Sequence, residues 1–185
     1  MEILNELAAY VPKNEQEEKD RALIIDYIAR NDDAFFRTSR IAHVTASAWV
    51  TNPSRDRVLM VYHKIYNSWS WCGGHADGDR NLLHVALKEC REETGLTEVK
   101  PVDKKIYSVE CLTVDGHEKH GAYVSSHLHL NVTYLLEADD SAPLHVREDE
   151  NSGVAWFSPE EALRVSTEPW FVTRIYAKLN ARLPR

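Results

Sequence analysis

Long apolar runs are missing from this chain, and so is any pattern typical of a secretory or organellar leader. A transmembrane helix needs about 20 consecutive apolar residues, so no membrane partner is expected. Basic residues are also in short supply, since 22 Lys and Arg stand against 29 Asp and Glu and give a formal net charge of -7. A protein that binds the nucleic-acid backbone needs a basic face. A nucleic-acid polymer is therefore not expected as a partner.

Cysteine is scarce as well. The three that occur, Cys72, Cys90 and Cys111, show neither the spacing of metal ligands nor an even disulfide framework. Cys90 falls at an apolar position of a predicted helix, where a buried thiol is expected. A chain that uses cysteine in this way is predicted to work in the reducing cytoplasm.

The composition itself is ordinary, and no internal repeat or low-complexity segment interrupts it. With 185 residues, 43% hydrophobic and 28% charged, the chain is long enough to bury a useful core. We predict an N-terminal helical extension over residues 1–40 and one catalytic domain over residues 41–185. The extension could act as a lid, as a dimer contact or simply as packing.

Two helices are predicted in the extension, a short one that stops at Pro12 and a second from Glu15 to Ala29. The second helix is expected to bury one apolar side, formed by Ala22, Leu23, Ile25 and Ile28. The acidic run Glu15, Glu17 and Glu18 is interpreted as a solvated first turn, which is favourable near a helix N-terminus.

The remaining elements follow from alternation and turn residues. Strands are predicted over residues 41–51, 57–65, 99–114 (one or two strands), 124–137 and 153–157, with a polar loop at 115–121. The second of these is apolar on both faces and is expected to be an internal strand. A short helix with a capping box begins at Ser158, and a final helix runs from Pro169 to Ala181.

The most informative stretch runs from Gly73 to Leu96 and reads GGHADGDRNLLHVALKECREETGL. Its second half has apolar residues at helical spacing, and Gly95 stands where a left-handed terminating residue belongs. Glu89, Glu92 and Glu93 occupy positions i, i+3 and i+4, so their carboxylates project from one helix face. Like charges packed so closely repel, and a cation is expected between them.

A hard divalent cation is the natural choice, because Mg²⁺ takes oxygen ligands and commonly reaches its substrate through phosphate oxygens. The double glycine fits such a site. Gly73 and Gly74 let the backbone turn sharply and approach a ligand or metal closely.

These residues resemble the Nudix signature. Matching positions at the right spacing are Gly74, Glu89, Cys90, Glu92, Glu93, Gly95 and Leu96. Two positions depart from it: Arg80 stands where the first Glu is expected, and Lys88 stands where an Arg is expected. The Arg usually orients the acidic cluster through a bidentate ion pair, which the point charge of Lys imitates poorly. Reduced or retuned activity is expected from these departures.

The resemblance implies an α/β/α sandwich with a mixed β-sheet and hydrolysis of a diphosphate bond in a nucleoside diphosphate linked to another group. Glu89, Glu92 and Glu93, helped by the Gly73 carbonyl, would hold Mg²⁺ (or Mn²⁺). The expected partner is a small-molecule nucleoside diphosphate derivative, and a homodimer is the favoured assembly. Which nucleotide is cleaved does not follow from the sequence.

A loop glutamate often serves as general base in the family, and Glu150, six residues before Trp156, is the first choice here. Glu148 is the second choice, Glu93 could also accept the proton, and a merely solvated acidic loop is the competing interpretation. His75 follows the double glycine and could donate to a phosphate oxygen, as an alternative to solvent exposure.

Trp69 could stack on a base, although core packing is the safer interpretation. His127 and His129 share one face of a predicted strand. Substrate contact is expected of His129, with a simple half-exposed strand face as the alternative. A transition-metal site would need a third ligand that the sequence does not place.

Two other functions stay open. A degenerate Nudix module would bind a nucleotide or a partner without cleaving it, and Arg80 with Lys88 is its support. An isopentenyl-diphosphate isomerase resembles the chain in its Cys-Gly-His run, but here Gly73 fills the cysteine place and Cys72 lies one residue earlier. In a strand, that slip turns the side chain to the other face.

Overall fold

The computed structural model describes residues 2–119, 121–147, 149 and 151–184. The helices are α1 (Glu2–Ala9), α2 (Glu15–Arg30), α3 (Leu82–Thr94), α4 (Pro159–Val165), α5 (Pro169–Phe171) and α6 (Ala177–Ala181), with a π-helical segment at Val172–Tyr176. The strands are β1 (Ala42–Thr51), β2 (Val58–His63), β3 (Ser68–Ser70), β4 (Cys72–His75), β5 (Val99–Pro101), β6 (Ser108–Val114), β7 (His117–Lys119), β8 (Ala122–Val124), β9 (His127–Ala138) and β10 (Asn151–Phe157). None of the described helices is long and apolar enough to cross a membrane.

The chain divides into two compact units. The first comprises residues 1–47, 74–85 and 105–134, and the second comprises residues 48–73, 86–104 and 135–185. The elements β1, β4, α3 and β9 begin in one unit and continue in the other along the chain. The predicted boundary after residue 40 stays a prediction.

The first unit is built on the pairing of β6 with the start of β9. These strands run antiparallel, from Ser108 opposite Thr133 to Val114 opposite His127. The helix α2 packs against β6, where the Cys111 N–H donates to Asp20 Oδ2 over 3.1 Å. The predicted loop 115–121 also holds β7, which pairs with β8 as a short separate ribbon, so the predicted strand 124–137 is divided between β8 and β9.

The second unit is organised around β2. This strand pairs antiparallel with β1, β3 and β10, and its first four residues are buried. The prediction of an internal strand is confirmed, because apolar side chains on both faces need cover on both sides. The last residues of β9 pair antiparallel with β5 in the same unit.

The two N-terminal helices form as predicted, but the buried side of α2 differs from the prediction. Ile24 and Ile28 are fully buried, whereas Leu23 is 44% exposed and Ala22 is exposed. The buried stripe is therefore shifted by one residue and includes Glu17, two turns before Ile24.

Glu17 contradicts the interpretation of a solvated first turn, since its side chain is completely buried. Its carboxylate accepts hydrogen bonds of 2.8 Å each from the Tyr10 hydroxyl, the Lys13 N–H and the Ser108 hydroxyl. These three donors supply the polar contacts that a buried carboxylate needs.

The C-terminal helices agree with the prediction in position and differ in form. The capping box is confirmed, because Ser158 and Glu161 each accept the other's backbone N–H. The predicted final helix contains the π-helical segment, whose wider turn leaves both Ile175 and Tyr176 buried. Tyr176 stacks on Trp49 with ring centroids 5.3 Å apart and lies 3.1 Å from the Ser70 hydroxyl.

Candidate functional site

The acidic face lies on the last two turns of α3. The helix begins after Asn81, whose side chain accepts the His84 N–H over 3.0 Å and so caps it. It ends before Gly95, which has a φ of +73° and terminates the helix as predicted. The Thr94 carbonyl accepts the His145 N–H over 2.8 Å and ties this end to the loop after β9.

Two of the three glutamates are buried. Glu89 is 8% exposed and Glu93 is 3% exposed, while the Glu92 side chain is 41% exposed. Lys88 Nζ lies 3.2 Å from Glu89 Oε1 and 3.9 Å from Glu92 Oε1. The lysine that replaces the expected arginine thus places a cation between these two carboxylates.

Glu93 is held from a different direction. The Gly73 N–H donates to its Oε2 over 3.0 Å, and Asn151 Nδ2 lies 3.4 Å from its Oε1. Gly73 and the acidic helix end therefore meet, as the sequence motif implies. Asn151 was not predicted, because a single amide at the start of a strand carries no motif.

Arg147 is a second residue that sequence reasoning missed. Its Nη1 lies 3.3 Å from Glu92 Oε2 and its Nε lies 3.2 Å from Asp149 Oδ1. The only usable signal was a lone cation within an acidic loop. Arg91, which stands closer in sequence, instead donates to the Val99 carbonyl over 3.2 Å.

These carboxylates fit a hard divalent cation by the chemistry of the donor set. All three offer oxygen ligands, which suit Mg²⁺ and Mn²⁺. Burial raises the pKa of Glu89, and the neighbouring Lys88 charge opposes that rise. Each carboxylate is directed at its own partner: Glu89 at Lys88, Glu92 at Arg147 and Glu93 at Gly73. These cations and N–H donors balance the carboxylate charges in the structure.

The second departure from the motif, Arg80, is engaged elsewhere in the first unit. Its guanidinium carbon lies 4.7 Å from the centre of the Phe35 ring, a cation–π arrangement. Nearby, Asp77 accepts two hydrogen bonds from Arg37, of 2.8 and 2.6 Å.

Trp69 is half-buried and packs edge to face on two aromatic rings, Tyr62 at 5.4 Å and Phe157 at 4.9 Å between centroids. A Cβ at Gly153 would lie 3.0 Å from the indole, so that glycine makes room for it. These contacts favour the packing interpretation, and stacking of Trp69 on a base stays a prediction.

Cys72 and Cys90 are both fully buried, which confirms the buried thiol expected at Cys90. A hydrogen bond with Cys90 and burial raise the pKa of the Cys72 thiol well above its usual value. Because the Cys72 thiol is buried and hydrogen-bonded to Cys90, it is not accessible for proton exchange with a substrate. This counts against the isomerase alternative.

Four histidines come together in the first unit. The ring centroid of His43 lies 5.0 Å from that of His75, 4.8 Å from that of His127 and 5.1 Å from that of His129. Burial lowers the pKa of His43, and burial with the neighbouring His75 lowers that of His129 to about 2. Both rings are therefore neutral near pH 7. The sequence predicted the pair on β9 but gave no sign that His43 and His75 join it.

The general-base prediction cannot be placed, since Glu150 and Glu148 lie outside the described residues. Gly74 is a half-buried residue of β4. The roles predicted for Glu150, Gly74, His75 and His129 stay predictions.

A family model of the NUDIX domain matches residues 42–179. One similar solved structure is a Caenorhabditis elegans Ap4A hydrolase binary complex, with 14% identity and a TM-score of 0.51 over 75% of this chain and 95% of that chain. A MutT protein from Methanosarcina mazei Go1 has 18% identity and a TM-score of 0.56 over 79% of this chain and 98% of that chain. The Escherichia coli dihydroneopterin triphosphate pyrophosphohydrolase has 12% identity and a TM-score of 0.53 over 75% of this chain and 93% of that chain. Comparison with curated proteins finds no match. At these identities the structures show the fold alone, and the predicted α/β fold with a mixed sheet is confirmed.

Proposed function

Since this chain belongs to the Nudix family, as the match over residues 42–179 shows, we propose that it is a metal-dependent hydrolase of a diphosphate bond. Its substrate is a nucleoside diphosphate linked to another group. One observation carries this proposal: Glu89, Glu92 and Glu93 share a face of α3, and the Gly73 N–H donates to Glu93.

Glu89, Glu92 and Glu93, with the Gly73 carbonyl, would hold Mg²⁺ (or Mn²⁺), which when bound neutralises phosphate charge and lowers the pKa of the attacking water. The protein's own part is to orient the ligands. The Gly73 N–H and the Asn151 amide fix the Glu93 carboxylate, and Lys88 fixes Glu89. Orientation of this kind is what second-sphere contacts contribute to a metal site.

Proton removal from the water is assigned to Glu150, with Glu93 as the alternative acceptor. His75 and Gly74 are proposed to contact the substrate phosphates. A homodimer and a separate role for residues 1–40 belong to the same proposal.

The position of the Lys88 side chain argues against the alternative of a non-catalytic module. A lysine at the arginine position would weaken catalysis most if its charge pointed away from the acidic cluster. Its ammonium lies 3.2 Å from Glu89, which supports an intact cluster and favours turnover over binding alone.

The test is release of phosphate or nucleotide from a panel of diphosphate compounds, with Mg²⁺ or Mn²⁺ and with EDTA as control. Similar folds carry the names Ap4A hydrolase and dihydroneopterin triphosphate pyrophosphohydrolase. The panel therefore contains dinucleoside polyphosphates and pterin triphosphates beside nucleotide sugars and oxidised nucleoside triphosphates.

Glu92→Gln is the diagnostic variant, and Glu98→Gln, an exposed glutamate of the same unit, is its matched control. We expect metal-dependent cleavage of one class, lost in the first variant and kept in the second. Tight nucleotide binding with no cleavage of any compound would instead support the non-catalytic module.

A further inference from the structure

Backbone hydrogen bonds in the first unit gather the histidines from three strands. The Ala76 N–H donates to the Val44 carbonyl over 3.1 Å, which sets the end of β4 beside the start of β1. The Leu128 N–H donates to the Ile41 carbonyl over 2.9 Å, which sets the start of β9 there as well. The histidines lie next to these bonded residues, so the backbone fixes where their rings meet.

Three of the rings place a ring nitrogen close to the same position. The three nitrogens, one each from His43, His75 and His129, all lie within 4.8 Å of one another. Across the part of the chain that the structure describes, no other set of three His, Cys, Asp or Glu side chains satisfies this closeness.

His43 is the most constrained of the three. It is 5% exposed, and its Nδ1 lies 3.0 Å from the Ser39 carbonyl oxygen. A carbonyl only accepts, so in the neutral ring Nδ1 carries the proton and Nε2 keeps its lone pair. That Nε2 is buried and has no hydrogen-bond partner among the described residues. A buried polar atom without a partner needs an explanation, and a metal ion supplies one.

The Nδ1 atom of His127, like that of His43, lies beside a backbone carbonyl oxygen. Its Nδ1 lies 2.8 Å from the Ser125 carbonyl, and its Nε2 lies 3.2 Å from His129 Nε2. With Zn–N bonds of about 2.0–2.1 Å, two nitrogens on a tetrahedral ion stand roughly 3.3 Å apart. Without a metal, one N–H···N hydrogen bond satisfies the same separation.

We propose that His43, His75 and His129 bind a transition-metal ion of the Zn²⁺ class, with His127 Nε2 next to the fourth position. Imidazole nitrogen suits Zn²⁺, Co²⁺, Ni²⁺ and Cu²⁺, whereas Mg²⁺ prefers oxygen. This site is a different donor set from the carboxylates of α3. The Nδ1–H contacts to backbone carbonyls are the outer-sphere bonds that metal-bound histidines usually make.

Two charged residues act on the cluster. The Arg37 charge lowers the pKa of both His43 and His129, and the Asp77 charge raises that of His43. The two form a bidentate ion pair of 2.8 and 2.6 Å, so the guanidinium charge is balanced locally.

One consequence concerns substrate contact. An imidazole nitrogen that binds a metal has no proton to donate, so the same nitrogen of His75 or His129 does not also donate to a phosphate oxygen. A hydrogen bond from His75 to a substrate phosphate would therefore come from its other ring nitrogen.

The test is a titration of the full, EDTA-treated chain with Co²⁺ alone, followed by displacement with Zn²⁺. We expect one equivalent of Co²⁺ to give the visible absorption of a four-coordinate nitrogen site, separate from any Co²⁺ held by the oxygen ligands of α3. His75→Asn and His129→Asn should weaken binding by roughly tenfold to a hundredfold. The exposed His84→Asn and the carboxylate variant Glu93→Gln should bind as the native protein does.

Loss of the absorption in Glu93→Gln with retention in the histidine variants would overturn the proposal, as would no absorption from the native chain. Because a histidine variant could fail to fold, X-ray absorption of the Zn²⁺-loaded native protein gives a second measurement. Three or more imidazole ligands are expected there, and a shell of oxygen alone contradicts the site.

Discussion

The Gly73 amide donates a hydrogen bond of 3.0 Å to Glu93 Oε2, across twenty residues of sequence. This bond joins strand β4, in which Gly73 lies, to the acidic end of α3. It uses one oxygen of a buried carboxylate and fixes its direction. Gly73 and the acidic helix end are thus in contact within the second unit, where Asn151 adds a second contact with Glu93.

The cation at position 88 should matter for turnover. Lys88→Met removes the ammonium beside Glu89 and Glu92, and we expect kcat to fall about tenfold, or ~1.4 kcal/mol of barrier. Lys88→Arg keeps the charge and should stay within about threefold of the native rate. Equal losses in both variants, measured as initial rates at saturating Mg²⁺, would show that charge at this position is not what matters.

The glycine that ends α3 should resist substitution. In Gly95→Ala the new Cβ would lie 2.7 Å from His145 Cβ, at a φ of +73°, and we expect a loss of about 2–3 kcal/mol in the free energy of unfolding. Gly121 is the matched control, because its φ is +76° and no atom of the described residues lies within 4 Å of its added Cβ. Gly121→Ala should cost only the backbone strain, about 1 kcal/mol. Urea unfolding of both variants measures these losses. Equal losses would mean that His145 moves away from the new Cβ without a cost in free energy.

The buried carboxylate of α2 should be a major contributor to stability. Glu17→Ala removes the carboxylate that accepts from Tyr10, Lys13 and Ser108. Tyr10 and Ser108 keep a second acceptor, the Tyr107 carbonyl and Glu110, and we expect a loss of about 1–3 kcal/mol. Glu17→Gln keeps one acceptor oxygen and should lose less. The neighbouring, exposed Glu18→Ala is the control and should stay within about 0.5 kcal/mol. A similar small effect for Glu17→Ala in urea unfolding would contradict the buried network.

The free energy of unfolding should fall at low pH, in part because Glu137 becomes protonated. Hydrogen bonds from Arg55 at 2.5 Å and Lys100 at 3.1 Å lower the pKa of Glu137 below its usual value. A folded-state pKa below the unfolded value of about 4.3 means that this stabilisation is complete above that pH and is lost as the pH falls through the folded pKa.

Glu137→Gln should therefore cost about 1–2 kcal/mol at pH 7, mostly through Arg55, because Lys100 is 74% exposed and its pair is screened by solvent. The difference between native and variant should shrink in urea unfolding below about pH 4. A difference that persists unchanged at pH 3 would show that ionisation of Glu137 is not its source.

Local patterns were enough to predict α3, its end at Gly95, the internal strand β2 and the capping box at Ser158. Each depends on residues within a few positions of one another, where periodicity and turn chemistry act directly. The meeting of Gly73 with the acidic helix end followed from the family motif.

Contacts between distant segments could not be predicted in this way. Arg147 reaches Glu92 across 55 residues, and Ser108 reaches Glu17 across 91. The burial of Glu17 reverses the local preference for a solvated first turn, because tertiary donors outweigh it. The gathering of His43 with His129 likewise depends on strand pairing, which no single stretch encodes.

The most direct test of the central claim is the rate of diphosphate cleavage as a function of Mg²⁺ concentration, for the native chain and for Glu93→Gln. Both proteins are first matched for fold by circular dichroism. A metal-dependent hydrolase built on the α3 carboxylates predicts saturable Mg²⁺ activation in the native chain and a loss of at least a hundredfold in the variant. An unchanged rate in Glu93→Gln, or cleavage that persists in EDTA, would contradict the account.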